Sequence, residues 1–140
     1  MRDERTGFRE IDHTADWTIE VWAPDLAGLL GEAARGMYEM AGVAYGEGGE
    51  EQAHFEVHKP DRETLLVGFL SELLYLLQTK HLGFEAFDFE IEQGDGRQVS
   101  VQARGRPVER IDKEIKAVTW HGIEVEETGE GFVGRVTFDV

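Results

Sequence analysis

Two carboxylates and an imidazole fall within five residues near the N-terminus, Asp12-His13-Thr14-Ala15-Asp16, and a further carboxylate, Asp139, precedes the last residue, Val140. Asp side chains at a turn commonly accept from local backbone N–H groups, so a structural role for the N-terminal group is the first reading. The second is chemical. If Asp16 and Asp139 meet across a sheet, their carboxylates and the Val140 carbonyl or terminal carboxylate form an all-oxygen cluster, which suits calcium or magnesium and not zinc or copper.

Two other groups are weaker. His54, Glu56 and His58 alternate on one face of a strand, about 6.8 Å apart stepwise, too far to converge on zinc without a bulge. A solvated polar face explains them. Lys116, Thr119 and His121 could supply a base and a charge clamp, but strand alternation puts Lys116 with Trp120 on one face and Thr119 with His121 on the other. The sequence contains no Walker-type phosphate loop, nucleophile elbow or adjacent Ser/His/Asp signature.

The elements that must position these residues follow from periodicity. A short strand precedes Asp12, and alternation of Trp17, Ile19 and Val21 with Thr18, Glu20 and Trp22 predicts the next. After Pro24 and Asp25, the spacing of Leu26, Leu29, Leu30, Ala33, Met37 and Met40 predicts a helix that stops at Gly42. Gly46 to Glu51 reads as a loop, and Ala53, Phe55 and Val57 as the buried face of a strand ended by Pro60. Asp61 to Lys80 has a broad leucine face and reads as the central helix of the core. Strand-like segments follow at Phe84 to Ile91, Gln98 to Arg104, Ile115 to Val125 and Phe132 to Asp139, with glycine turns at 94–96 and 129–131. Because consecutive strands so closely spaced pair antiparallel, the expected fold is an α+β two-layer sandwich, two helices on one face of a mixed or mostly antiparallel sheet.

At 140 residues and 41% hydrophobic content, residues 1–140 read as one domain with material for a core. The net charge of −15 repels phosphate backbones, so direct nucleic-acid binding is not expected. The chain has no cysteine, which excludes disulfides and thiolate chemistry. With no signal-peptide pattern in residues 1–10 and no apolar run long enough for a bilayer, the expectation is a soluble cytoplasmic protein without a membrane partner.

Asp12-His13-Thr14-Ala15-Asp16, Glu114-Ile115-Lys116-Ala117-Val118-Thr119-Trp120-His121 and Phe138-Asp139-Val140, in this order around the leucine-rich helix, resemble the archease family over nearly the whole chain. Ahead of the second motif, where the family often has a longer loop with a glycine, Arg106 to Lys113 is short and charged. The resemblance implies a strand-helix-strand-helix-strand core with extra strands. It also implies a non-catalytic protein that promotes guanylylation and multiple turnover of an RtcB-type GTP-dependent RNA ligase in tRNA splicing and RNA repair. Its metal site maps onto Asp16, Asp139 and Val140, holding a divalent ion, calcium first, with magnesium or manganese as alternatives. Asp12 and His13 would sit beside it, and Lys116 and His121 would contact the partner or support the site. The expected mechanism is an acidic tip docking near the ligase's metal and nucleotide pocket. Two rivals are a general chaperone or modulator of RNA-modifying enzymes, and a metal-dependent phosphoester hydrolase using Asp12, Asp16 and Asp139 with Lys116 or His121.

Overall fold

The structure, a computed structural model, describes residues 5–11, 17–94 and 96–140. Its elements run β1 (Gly7–Ile11), β2 (Trp17–Ala23), α1 (Leu26–Ala41), β3 (Val43–Tyr45), β4 (Glu51–Lys59), α2 (Arg62–Lys80), β5 (Leu82–Gly94), β6 (Gly96–Ile111), β7 (Ala117–Thr128) and β8 (Gly131–Asp139). The expected α+β class is observed.

Both helices begin on an aspartate cap. The Asp25 carboxylate accepts from the Gly28 N–H at 2.7 Å and the Asp61 carboxylate from the Thr64 N–H at 2.8 Å, each satisfying a donor that the first turn leaves free. The Thr64 N–H, then the Thr64 hydroxyl, hold the Asp61 carboxyl below its ordinary value. Gly42 ends α1 in the left-handed region at φ 65°, as the sequence predicts. α2 ends on His81 at φ 55° without a glycine.

The strands divide over two antiparallel sheets, where a single sheet was expected. One has the order β1-β2-β8-β7; in the other β6 pairs with β3, β4 and β5. The helices touch both: α1 lies on β1, β2 and β8 and reaches β5, while α2 packs on β7 of the first sheet and on β4, β5 and β6 of the second. A helix apolar over most of its circumference needs two walls, and α2 buries Leu65, Leu66, Val67, Phe69, Leu70, Leu73, Leu74 and Leu77. Ile19, Val21, Val99, Val101, Val136 and Phe138 complete the core from the strands.

Residues 106–113, expected as a short charged segment, instead prolong β6 to Ile111. Val108 and Arg110 pair with β3, and the charges point outward: Arg106 pairs with Glu85 at 3.0 Å and lies over the Tyr45 ring. Among the described residues no helix is long and apolar enough to cross a membrane.

Candidate functional site

β8 is an inner strand, paired along its length with β2 on one side and β7 on the other. At its end Phe138 is fully buried and lies opposite Trp17 in β2 and Val118 in β7. That anchor brings the next residue, Asp139, to the rim of the sheet with an exposed side chain. Its backbone is held as well: Asp139 pairs with Ala117, and its carbonyl accepts from the Lys116 N–H at 2.7 Å. On the outer face one residue earlier, the Thr137 and Thr18 hydroxyls meet at 2.9 Å in a buried bond. Thr119 lies opposite Thr137 on the other side, and its hydroxyl is buried without a hydrogen-bond partner among the described residues.

The segment leading into β7 is tied down at three points. The N–H groups of Asp112 and Lys113 donate to the Ala41 carbonyl at the end of α1, at 3.0 and 2.9 Å. The Gln78 amide on α2 donates to the Ile115 carbonyl at 2.9 Å and to that of Lys116 at 3.3 Å. Ile115 itself is buried. The Lys113 ammonium sits 4.7 Å from the Trp17 ring, so cation–π attraction links this approach to the start of β2. Two helices and two strands therefore determine where Lys116 and Asp139 stand, and both side chains face solvent.

Asp12, His13 and Asp16 lie outside the described residues. Val140 is half-buried after Asp139. Lys116 adjoins Asp139 through the backbone bond, whereas His121 does not share that ladder. The expected face-by-face alternation ends at Thr119, because the pairing Thr119↔Thr137 resumes only at Glu124↔Arg135. Five steps of β7 thus span two of β8, and Trp120 to Ile123 form a bulge with Gly122 at φ 69°. An isolated glycine inside a strand pattern is the sequence signal for it. Nothing in the local pattern could have disclosed Gln78 or the Thr18–Thr137 bond, since both join residues distant in sequence.

His54 and Glu56 lie on the exposed face of β4, where His54 Nδ1 pairs with the Gln102 amide at 2.7 Å across the β4–β6 ladder. Among the described residues no three His, Cys, Asp or Glu side chains converge on a point that could hold a metal. The oxygen set inferred from the sequence includes Asp16, outside those residues. Its remaining members, the Asp139 carboxylate and the Val140 main-chain oxygen, are hard donors at an accessible rim, which is the chemistry a calcium or magnesium ion takes.

Residues 8–140 match the model of the archease protein family (MTH1598/TM1083). The chain is 36% identical over 135 residues to the archease of Archaeoglobus fulgidus, covering 95% of this chain and 98% of that one. It is 34% identical to the archease of Methanothermobacter thermautotrophicus, with coverages of 96% and 99%. The solution structure of Methanobacterium thermoautotrophicum protein 1598 superposes with a TM-score of 0.69 at 27% identity, over 96% of this chain and 99% of that one. The crystal structure of a Thermotoga maritima archease, described as a possible chaperone, shares the fold at a TM-score of 0.68 and 20% identity, covering 100% and 98%.

Proposed function

Since the chain belongs to the archease family, we propose that it activates an RtcB-type GTP-dependent RNA ligase, promoting the ligase's guanylylation and repeated turnover in tRNA splicing and RNA repair. The observation that carries this reading is the rim at the end of β8, where Asp139 is exposed yet held by Phe138 in the core and by the Lys116 N–H. A carboxylate whose backbone is already fixed costs less ordering when it meets a partner.

The residues in hand act by placement and charge. Asp139, Val140 and Asp16 would hold a divalent ion, calcium foremost, with magnesium or manganese as alternatives; such an ion supplies positive charge beside phosphate oxygens. Lys116, just before β7, presents a cation next to that acidic rim. Asp12 and His13 are assigned as neighbours of the ion site, and His121, on the bulge, as a partner contact. The net charge of −15 steers the protein toward a basic, phosphate-binding pocket and away from free RNA, so the protein partner is engaged first. The same rim would serve a chaperone acting on other RNA-modifying enzymes, a reading favoured by the description of the Thermotoga relative as a possible chaperone.

The test is the rate of guanylylation of an RtcB-type ligase from the same organism, with GTP, with and without this protein. Acceleration that disappears in Asp16→Ala and in Asp139→Ala is the expected result. Acceleration undiminished in both variants would overturn the acidic-rim mechanism, and none with wild type would overturn the activator assignment.

A further inference from the structure

Among the described residues three large hydrophobic side chains stand exposed: Tyr75 at 56%, Trp120 at 57% and Ile111 at 36%. They come from α2, the β7 bulge and the end of β6. Two bonds set how α2 lies against β7. Arg62, in the first turn of α2, pairs with Glu127 near the end of β7 at 3.1 Å, while Gln78, in the last turn, bonds the Ile115 and Lys116 carbonyls just before β7 begins. α2 and β7 therefore run antiparallel side by side, and β7 is the outer strand of its sheet.

Tyr75 is three residues before Gln78, on the same helix flank and about 4.5 Å away along the axis. Trp120 is four residues past Lys116, at most about 13 Å along the strand. Both residues thus belong to the stretches of α2 and β7 nearer the Gln78 end of the seam. There the seam opens into a groove of about 630 Å³ lined by Leu74, Leu77, His81, Ile111, Ile115 and Lys116. The Lys116 N–H bonded to the Asp139 carbonyl makes the groove continuous with the acidic rim.

We infer that this seam is the surface that holds the activated partner: an apolar side chain of the partner fills the groove while its basic residues lie over Tyr75 and Trp120. This rests on the activator reading. An exposed tryptophan on a bulge, with open space around Gly122, adds nothing to the core, whereas aromatic anchors beside a pocket dominate binding at interfaces. A second copy of this chain is a poor occupant. Each copy carries −15, and Glu114, Glu124 and Glu126 stand exposed along β7 and its approach, so like charges would face each other. A basic partner gains from the same charges and from cation–π contact with both rings.

The decisive experiment titrates this protein into the ligase guanylylation reaction and reads the half-maximal concentration separately from the plateau. Trp120→Ala and Tyr75→Ala should each raise the half-maximal concentration by about tenfold with the plateau kept, and Trp120→Phe should restore most of the loss. Both variants should keep the wild-type thermal unfolding midpoint, because the side chains are exposed. An unchanged half-maximal concentration in both variants overturns the docking surface and leaves the activator reading standing. No stimulation by wild type overturns both. A dimer in sedimentation that Trp120→Ala dissociates assigns the seam to self-association and also overturns the inference.

Discussion

The two sheets are secured by different means. In the sheet of β4, β5 and β6, Phe69 of α2 is fully buried against Phe55, Phe87 and Phe89, with ring centroids 6.2, 5.7 and 5.5 Å away. In the β1-β2-β8-β7 sheet, the end that carries Asp139 is set by register, a buried threonine pair, backbone bonds with α1 and β8, and the Gln78 side-chain amide of α2. Dispersion and apolar burial scale with area and carry stability, whereas polar bonds contribute less energy and more direction. The aromatic sheet should therefore tolerate little loss of volume, and the polar end little loss of position.

Phe69→Ala is the severest challenge to this contrast. It should cost about 3–5 kcal/mol in urea denaturation, from lost transfer energy plus the cavity left behind. Stimulation per folded molecule should be unchanged; a selective loss of activity would mean that the aromatic sheet also shapes the site.

Thr137→Val strands the Thr18 hydroxyl and should cost about 1–3 kcal/mol, with part recovered in the Thr18→Val/Thr137→Val double variant. A double-mutant cycle showing no coupling would demote the bond to a bystander.

Asp61→Ala probes a cap that belongs to neither sheet and should cost about 1 kcal/mol at neutral pH. Because the folded state holds the Asp61 carboxyl below its ordinary value of 3.8, its contribution is present above that value and lost as pH falls through the lower folded one. The gap between wild type and Asp61→Ala should close under acid, and a gap constant down to pH 2 would contradict the assignment.

The smallest effect on folding is expected at the site itself. Asp139→Ala removes an exposed side chain and should shift stability by no more than about 0.5 kcal/mol while it abolishes stimulation. A large loss of stability there would erase the contrast between the regions.

The sequence pattern discloses one of these regions better than the other. Leucine spacing in α2 and alternation in β2 and β4 predict the elements that meet at Phe69 and Ile19, because burying one face imposes a period on the chain. The site is legible only as residue types: Asp139 stands out as a carboxylate within an apolar closing strand. β3, three residues long, has no period to detect, and the bulge at 120–123 breaks the alternation that would have located Trp120.

Taken alone, the sequence determines the order of the helices and of the strands other than β3, the acidity and the motifs that carry the family resemblance, since these depend on neighbours within a turn or a strand. The tertiary structure decides that the strands form two sheets with α2 against both, that Gln78 clamps the approach to β7, and that Ile111 of β6 lines a groove with Leu74 and Leu77 of α2. Those outcomes depend on which distant surfaces are complementary. That is settled by the simultaneous burial of α2 on two sides, which no local period records.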